Sequence, residues 1–299
     1  MDTLTKRTRP RGFAEWNPRP DTMALIHLIT AILAEYADYV PLTCRQIFYR
    51  LVGTKGFPKT ENDYSRLCEV IGRSRRAGMI PFDHIRDDGT ARREFQTWSG
   101  ANAFLDDIKD RAEGFRLDRQ AGQELRLLVM CEAGGMAPML AQVANPYGIA
   151  VLTSGGFDSL TAKHDLALEL AGVIRDGVWP EVLHIGDLDP SGVHLFSSLA
   201  EDVSAMVQAL SGVTPIFSRL AVTQDQVDRL GLVTAPPKPT DNRRFTGQTV
   251  QAEAIAPDVL SDLLRDAIEA RRDQWATDAV LIREKAIRAD LVTKLEGLS

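Results

Sequence analysis

From Thr22 the chain repeats apolar residues at helical spacing. Leu25, Ile26, Ile29, Ile32, Leu33 and Tyr36 share one face, which predicts an amphipathic helix ending before Pro41. A second helix is predicted to open at Thr43. Thr43 and Gln46 form a T-x-x-Q capping box, and Leu42 and Ile47 take the N′ and N4 places of a hydrophobic staple, so this start is specified locally. A third helix begins near Thr60, with Asp63 three residues on, and buries Tyr64, Leu67, Cys68 and Ile71 at i, i+3, i+4 and i+7. Its other faces carry Arg66, Arg73, Arg75 and Arg76. After Gly78, the stretch MIPFDHIRDDG has the apolar residues, proline and closing Asp-Asp-Gly of a short β-hairpin. Three helices and a hairpin are the order of a winged helix-turn-helix, with the arginine-bearing helix in the groove-reading position. An ordinary helical subdomain with a solvated charged face fits the same pattern.

Residues 91–122 are highly charged and irregular, a connector with some helix. Beyond them the period changes. LRLLVMCE, IAVLTSGG, EVLHIGDLD and PIFSRLAV are short apolar runs with helix-length spacers in the middle, punctuated by Gly or Pro. Strand alternating with helix implies a parallel sheet flanked by helices. PPKPTDN, from Pro236, interrupts the pattern, and helical segments close the chain from Pro257. The expected architecture is therefore mixed α/β. A basic flexible arm spans 1–20, a winged-helix domain 21–90, the connector 91–122, and a sheet domain with a C-terminal helical extension 123–299.

Composition narrows the class. With 299 residues, 44% hydrophobic and 25% charged, the chain is globular in type, and disorder, collagen and disulfide scaffolds are excluded. The longest nearly apolar stretch, Met23 to Ala34, is too short to cross a bilayer, and the start MDTLTKRTRPRG has no apolar signal region. A soluble cytoplasmic protein with no membrane partner is expected. Cys44, Cys68 and Cys131 form no C-x-x-C pair and the five histidines no metal-ligand spacing, so no zinc site is indicated. The net charge of −6 conceals an asymmetry: residues 1–100 carry 16 Lys+Arg against 12 Asp+Glu, the remainder 19 against 29. A basic front and an acidic back suit a phosphate-binding module joined to a carboxylate-rich metal module. Solvated faces would give the same split.

In a parallel α/β sheet, chemistry lies beyond the carboxyl ends of the strands. Glu132 directly follows LRLLVMC, and Asp187 and Asp189 follow EVLHIG in GDLDPSG. Together they would offer the hard oxygen ligands that Mg²⁺ or Mn²⁺ takes. Gly134 and Gly135, and Gly155 and Gly156, would leave backbone N–H groups open to a phosphate. Taken singly, a strand-terminal Glu is an ordinary loop residue, and D-P-S-G is a turn in which Ser191 caps the next helix. Glu253, in TVQAEAI, is a candidate to approach the metal from the C-terminal region.

A strand-terminal Glu, one βα unit, then a strand-terminal DxD resembles the Toprim domain of topoisomerases, DnaG-type primases and some nucleases, over roughly Leu125 to Thr223. That resemblance implies a divalent-metal site at Glu132, Asp187 and Asp189. The run T-C-R-Q-I-F-Y, Thr43 to Tyr49, is similar to the T-x-R-D-I-Y-Y run of the winged helix in the topoisomerase VI A-subunit family. A winged helix followed by Toprim is also that family's domain order, and in size the chain is closest to its stand-alone Mini-A relatives. Gln46 stands where the motif has Asp, and Phe48 where it has its first Tyr.

The resemblance implies that Tyr49 is a nucleophile toward the backbone of double-stranded DNA, leaving a 5′-phosphotyrosyl link, with Arg45 in support. Arg45 and Tyr49, at i and i+4 on one helix, are spaced for the guanidinium to steady a phenolate or clamp a phosphate. It also implies a homodimer in which Tyr49 and the carboxylates of different protomers meet, a nucleoid-associated location and, as a possible partner, a separate GHKL-type ATPase. The basic arm and Arg66, Arg73, Arg75 and Arg76 are the expected phosphate contacts. Two other readings stay open: a hydrolytic nuclease with a structural Tyr49, and a DNA-binding regulator without turnover.

Overall fold

The computed structural model describes residues 13–86, 95–153, 160–237, 245 and 247–297. Helix α1 (Pro20–Glu35) starts with proline in its first turn and buries Leu25, Ile26, Ile29, Ile32 and Leu33, the stripe expected from the spacing. A two-residue strand, β1 (Leu42–Thr43), leads into α2 (Cys44–Lys55). The capping box forms in full: Gln46 N–H donates to Thr43 Oγ1 at 3.0 Å, and Thr43 N–H donates to Gln46 Oε1 at 2.8 Å. Leu42 and Ile47, the staple residues, are both fully buried. Thr43→Ala is expected to cost about 1–2 kcal/mol, read as a lowered urea midpoint with an unchanged slope. Helix α3 (Glu61–Arg76) is capped by Thr60, whose Oγ1 accepts from Asp63 N–H at 3.1 Å.

The hairpin expected after Gly78 is not formed over residues 79–86. A turn of 3-10 helix (Phe82–His84) leads to β2 (Ile85–Arg86), which pairs in parallel with β1, Leu42 opposite Ile85 and Thr43 opposite Arg86. Ile85 is buried beside Leu42 in the same core, and this burial holds the segment against the start of α2. Residues 87–94, where the second hairpin strand was expected, lie outside the described residues. The connector contains α4 (Ala101–Glu113), which packs on the last helix, α10 (Gln274–Glu296). Buried Glu284 ties α10 down by accepting hydrogen bonds from Leu117 N–H at 3.0 Å and from the guanidinium groups of Arg119 and Arg288.

All four strand expectations hold. Strands β3 (Leu125–Cys131), β4 (Val151–Thr153), β5 (Trp179–Ile185) and β6 (Ile216–Ala221) form a parallel sheet in the order β4-β3-β5-β6. Helices α5 (Ala137–Ala144), α6 (Leu160–Arg175) and α7 (Pro190–Ser211) connect them, followed by α8 (Gln224–Leu230) and α9 (Pro257–Glu269). The period-two alternation of β3 divides its side chains between two cores. Leu128 and Met130 meet α6 and α7, whereas Leu127, Val129 and Cys131 join a larger core on the other face.

That larger core also contains Leu25, Ile47, Leu51 and Leu67 of the helical module together with Ile185 and Leu264 of the sheet module. The two modules therefore share one apolar interior within a single chain. They also meet closely at the backbone: Gly135 lies against the Thr43 methyl group, where an added Cβ would clash. Among the described residues no helix is long and apolar enough to cross a membrane.

Candidate active site

Strands β3 and β5 are neighbours, paired in register from Leu125 opposite Trp179 to Cys131 opposite Ile185, so their carboxyl ends lie side by side. Glu132 leaves the end of β3 with its N–H donated to Ile185 C=O at 2.9 Å. Its Oε2 accepts from Asp187 N–H at 3.0 Å, which holds the two chain ends together. Space for this carboxylate depends on two glycines. A Cβ at Gly186 or Gly192 would come within 2.8 Å or 2.9 Å of Glu132 Oε2. Asp187 Oδ1 in turn accepts from Ala252 N–H at 2.8 Å, drawing in the 3-10 turn Ala252–Ala254 and with it Glu253, which is only 8% exposed. Behind the loop, Arg219 of β6 donates to the carbonyls of Gly186, Asp187 and Val222.

Asp189, whose charge adds to burial in raising the pKa of Glu132 and Asp187, has a structural task as well. Its Oδ1 accepts from Gly192 N–H at 2.6 Å and from Ser191 Oγ at 2.9 Å, so Asp189, and not Ser191, is the N-cap of α7. Glu132, Asp187 and Glu253 line a cavity of about 560 Å³ together with Arg45, Arg75 and Arg86. Gly134 and Gly135 border it, as expected, whereas Gly155 and Gly156 lie outside the described residues.

Burial and mutual repulsion shape the electrostatics. Burial raises the Glu132 carboxyl above its ordinary value, and the charge of Asp187 raises it further. Asp187 is also raised by burial, against the pull of the Ala252 N–H. Glu253 is pushed up to about 7 by burial and then by Asp187, with Arg45 opposing. Burial works against the Arg45 charge, but Glu253 and Tyr64 outweigh it and its pKa rises. Crowded, partly buried carboxylates of this kind are hard oxygen donors whose repulsion a divalent cation would relieve. Among the described residues no group of three or more His, Cys, Asp or Glu side chains is placed to hold a metal ion. The pair Glu132 and Asp187 nevertheless fits Mg²⁺, which takes one or two carboxylates and completes its shell with water and substrate phosphate.

Tyr49 lies beside the same cluster, in the same chain. It lines a second cavity of about 360 Å³ that Arg45 and Tyr64 share with the first, and Asp189 and Gln251 border it too. Its hydroxyl donates to Gln251 Oε1 at 2.6 Å, and its ring is 5% exposed with Lys59 Nζ 5.4 Å from the centroid. Burial pushes the phenol up to about 12; Arg45 lowers it, and Glu253 and Asp187 raise it again. Arg45 therefore faces Tyr49 as the i, i+4 spacing implied, while its guanidinium stands 5.3 Å from the centre of the Tyr64 ring.

The premise behind the dimer expectation, that nothing folds the two modules onto each other within one chain, is corrected by this packing. A connector rich in charge offers no sign of closure, but the helical module has apolar surface left after its own folding, and it buries that surface on the sheet. Sequence reasoning missed Arg86, Tyr64 and Gln251. Tyr64 was readable only as a core position on α3, and no local pattern marks Arg86 or Gln251. Of the expected phosphate contacts, Arg66 and Arg76 are exposed. The Arg73 guanidinium lies over the Trp16 ring at 4.6 Å and that of Arg75 over Phe82 at 4.5 Å. The arm up to residue 12 lies outside the described residues. Comparison of the chain with protein-family models, curated proteins and solved structures finds no match in any of the three.

Proposed function

We propose that the chain is a divalent-metal-dependent enzyme that cleaves DNA backbone phosphodiesters, as the resemblance to the topoisomerase VI A-subunit family implies. The observation that carries this reading is a shared lining: Glu132, Asp187 and Glu253 border the same cavity as Arg45, Arg75 and Arg86. Guanidinium forks match phosphate oxygens in geometry and charge. The carboxylates in the same cavity would repel that phosphate unless a cation lay between them. Mg²⁺ or Mn²⁺ held by Glu132 and Asp187 would neutralise charge on the phosphate as it reacts. Arg45, which lines both cavities, is the residue that would orient the phosphate beside Tyr49.

In the first form of the reaction the Tyr49 oxygen forms a bond to phosphorus and the sugar oxygen leaves, taking up a proton as Tyr49 loses its own. Gln251 Oε1 must release the phenol for this. The second form is hydrolysis by water, and the burial of Tyr49 with a phenol pushed up to about 12 favours it. End-labelled DNA incubated with Mg²⁺ or Mn²⁺ and run on a denaturing gel separates the two. A covalent adduct formed by wild type and lost in Tyr49→Phe is expected. Equal cleavage by both proteins without adduct would establish hydrolysis, and binding without cleavage would make the chain a regulator.

A double-strand break needs two such sites, which a twofold homodimer supplies. Because each chain already holds Tyr49 beside its own carboxylates, mixing Tyr49→Phe with Asp187→Ala protomers is expected to restore no cleavage. Nicking by the mixture would return the site to the dimer interface.

A further inference from the structure

The carboxylates stand inside the 560 Å³ cavity, with Glu253 almost wholly buried, so a phosphate must enter to meet them. Outside the cavity, the C-terminal end of α3 carries an unusual surface. Phe13 and Phe82 are 82% and 51% exposed, and their rings meet edge to face at 5.8 Å. Ala14 N–H donates to Arg76 C=O at 3.0 Å and pins this segment to the helix end. Arg73 lies over Trp16, and exposed Arg76 stands alongside.

Arg75 connects the two places. Its guanidinium lies over the Phe82 ring and donates to Phe82 C=O at 3.0 Å, and the same side chain lines the cavity. Exposed aromatic rings interleaved with arginines are the chemistry of a single-strand platform: bases stack on the rings while guanidinium groups follow the phosphates. In a duplex the base faces are already stacked on one another and offer nothing to Phe13 or Phe82. We infer that DNA is engaged as an unpaired strand, with bases stacked on Phe13 and Phe82 and the following phosphate carried past Arg75 into the carboxylate cavity. This rests on the DNA reading above and narrows its substrate to single-stranded or locally opened DNA.

Fluorescence anisotropy of the full chain in EDTA, with labelled oligothymidylate and a duplex of equal length, tests it without cleavage. Wild type is expected to bind the single strand at least tenfold more tightly. Phe13→Ala/Phe82→Ala should lose about tenfold or more of that affinity, keep its duplex affinity and remain folded by circular dichroism. Phe13→Trp/Phe82→Trp should restore single-strand binding. Tighter binding of the duplex, equal losses on both DNA forms, or no loss on either would overturn the inference, the last two assigning the aromatic surface to structure or to a protein partner. Failure to bind either DNA would overturn the DNA reading itself. Single-strand binding that behaves as expected, beside absent cleavage, would leave this inference standing and remove the enzymatic one.

Discussion

Asp187→Asn is expected to reduce metal-dependent cleavage by about 10³-fold or more while leaving the fold intact, because a cation at a reacting phosphate supplies several kcal/mol and each 1.36 kcal/mol is tenfold in rate. The choice of Asn matters. Asp187 has two tasks, charge in the cavity and acceptance of the Ala252 N–H at 2.8 Å. Asn removes the charge and keeps an oxygen for the N–H. Asp187→Ala removes both and should add about 1–3 kcal/mol of destabilisation from the orphaned donor. Initial rates, thermal melting and Mn²⁺ titration by calorimetry read the three effects separately. Equal Mn²⁺ affinity in wild type and Asp187→Asn would remove Asp187 from the ligand set.

The second expectation concerns stability against pH in metal-free protein. Glu253 titrates at about 7 in the folded chain, against an ordinary value of 4.5. The folded state therefore holds a proton that the unfolded state has released, and the favourable contribution of the neutral carboxyl is full below about 4.5. It is lost as pH rises through 7, a decline of about 3 kcal/mol. Glu253→Gln stays neutral throughout, so its urea-unfolding free energy should lack that decline and exceed that of wild type above pH 7. Parallel curves for the two proteins between pH 5 and 8 would mean that Glu253 is not held protonated in the folded chain. In wild type, added Mn²⁺ should displace the proton, detectable as proton release near pH 6.5.

The same group shows where reading along the chain stops. Glu253 lies in TVQAEAI, a run with no periodicity, and its turn is held by partners distant in sequence, among them Asp187, which accepts from Ala252 N–H 65 residues away, and Leu188, paired with Val250. Tyr49 and Gln251 are 202 residues apart, and nothing near either predicts the other. Glu132 and Asp187 were recognisable as strand-terminal carboxylates, but their contact depends on β5 pairing directly with β3, a matter of strand order.

Local energetics account for what the sequence determined by itself. The stripe of α1, the capping box and staple of α2, the Thr60 cap and the four apolar runs each rest on interactions between residues a few positions apart, and such interactions are encoded where they act. Competition between equivalent local signals is already harder, as at the start of α7, where Asp189 and Ser191 could each cap the helix and Asp189 does so. The closure of the helical module onto the sheet was decided by tertiary structure alone. Its driving force is apolar surface buried between segments far apart in the chain, a force without direction that leaves no mark on the spacing of any one segment. That closure placed Arg45 and Tyr49 beside the carboxylates of their own chain.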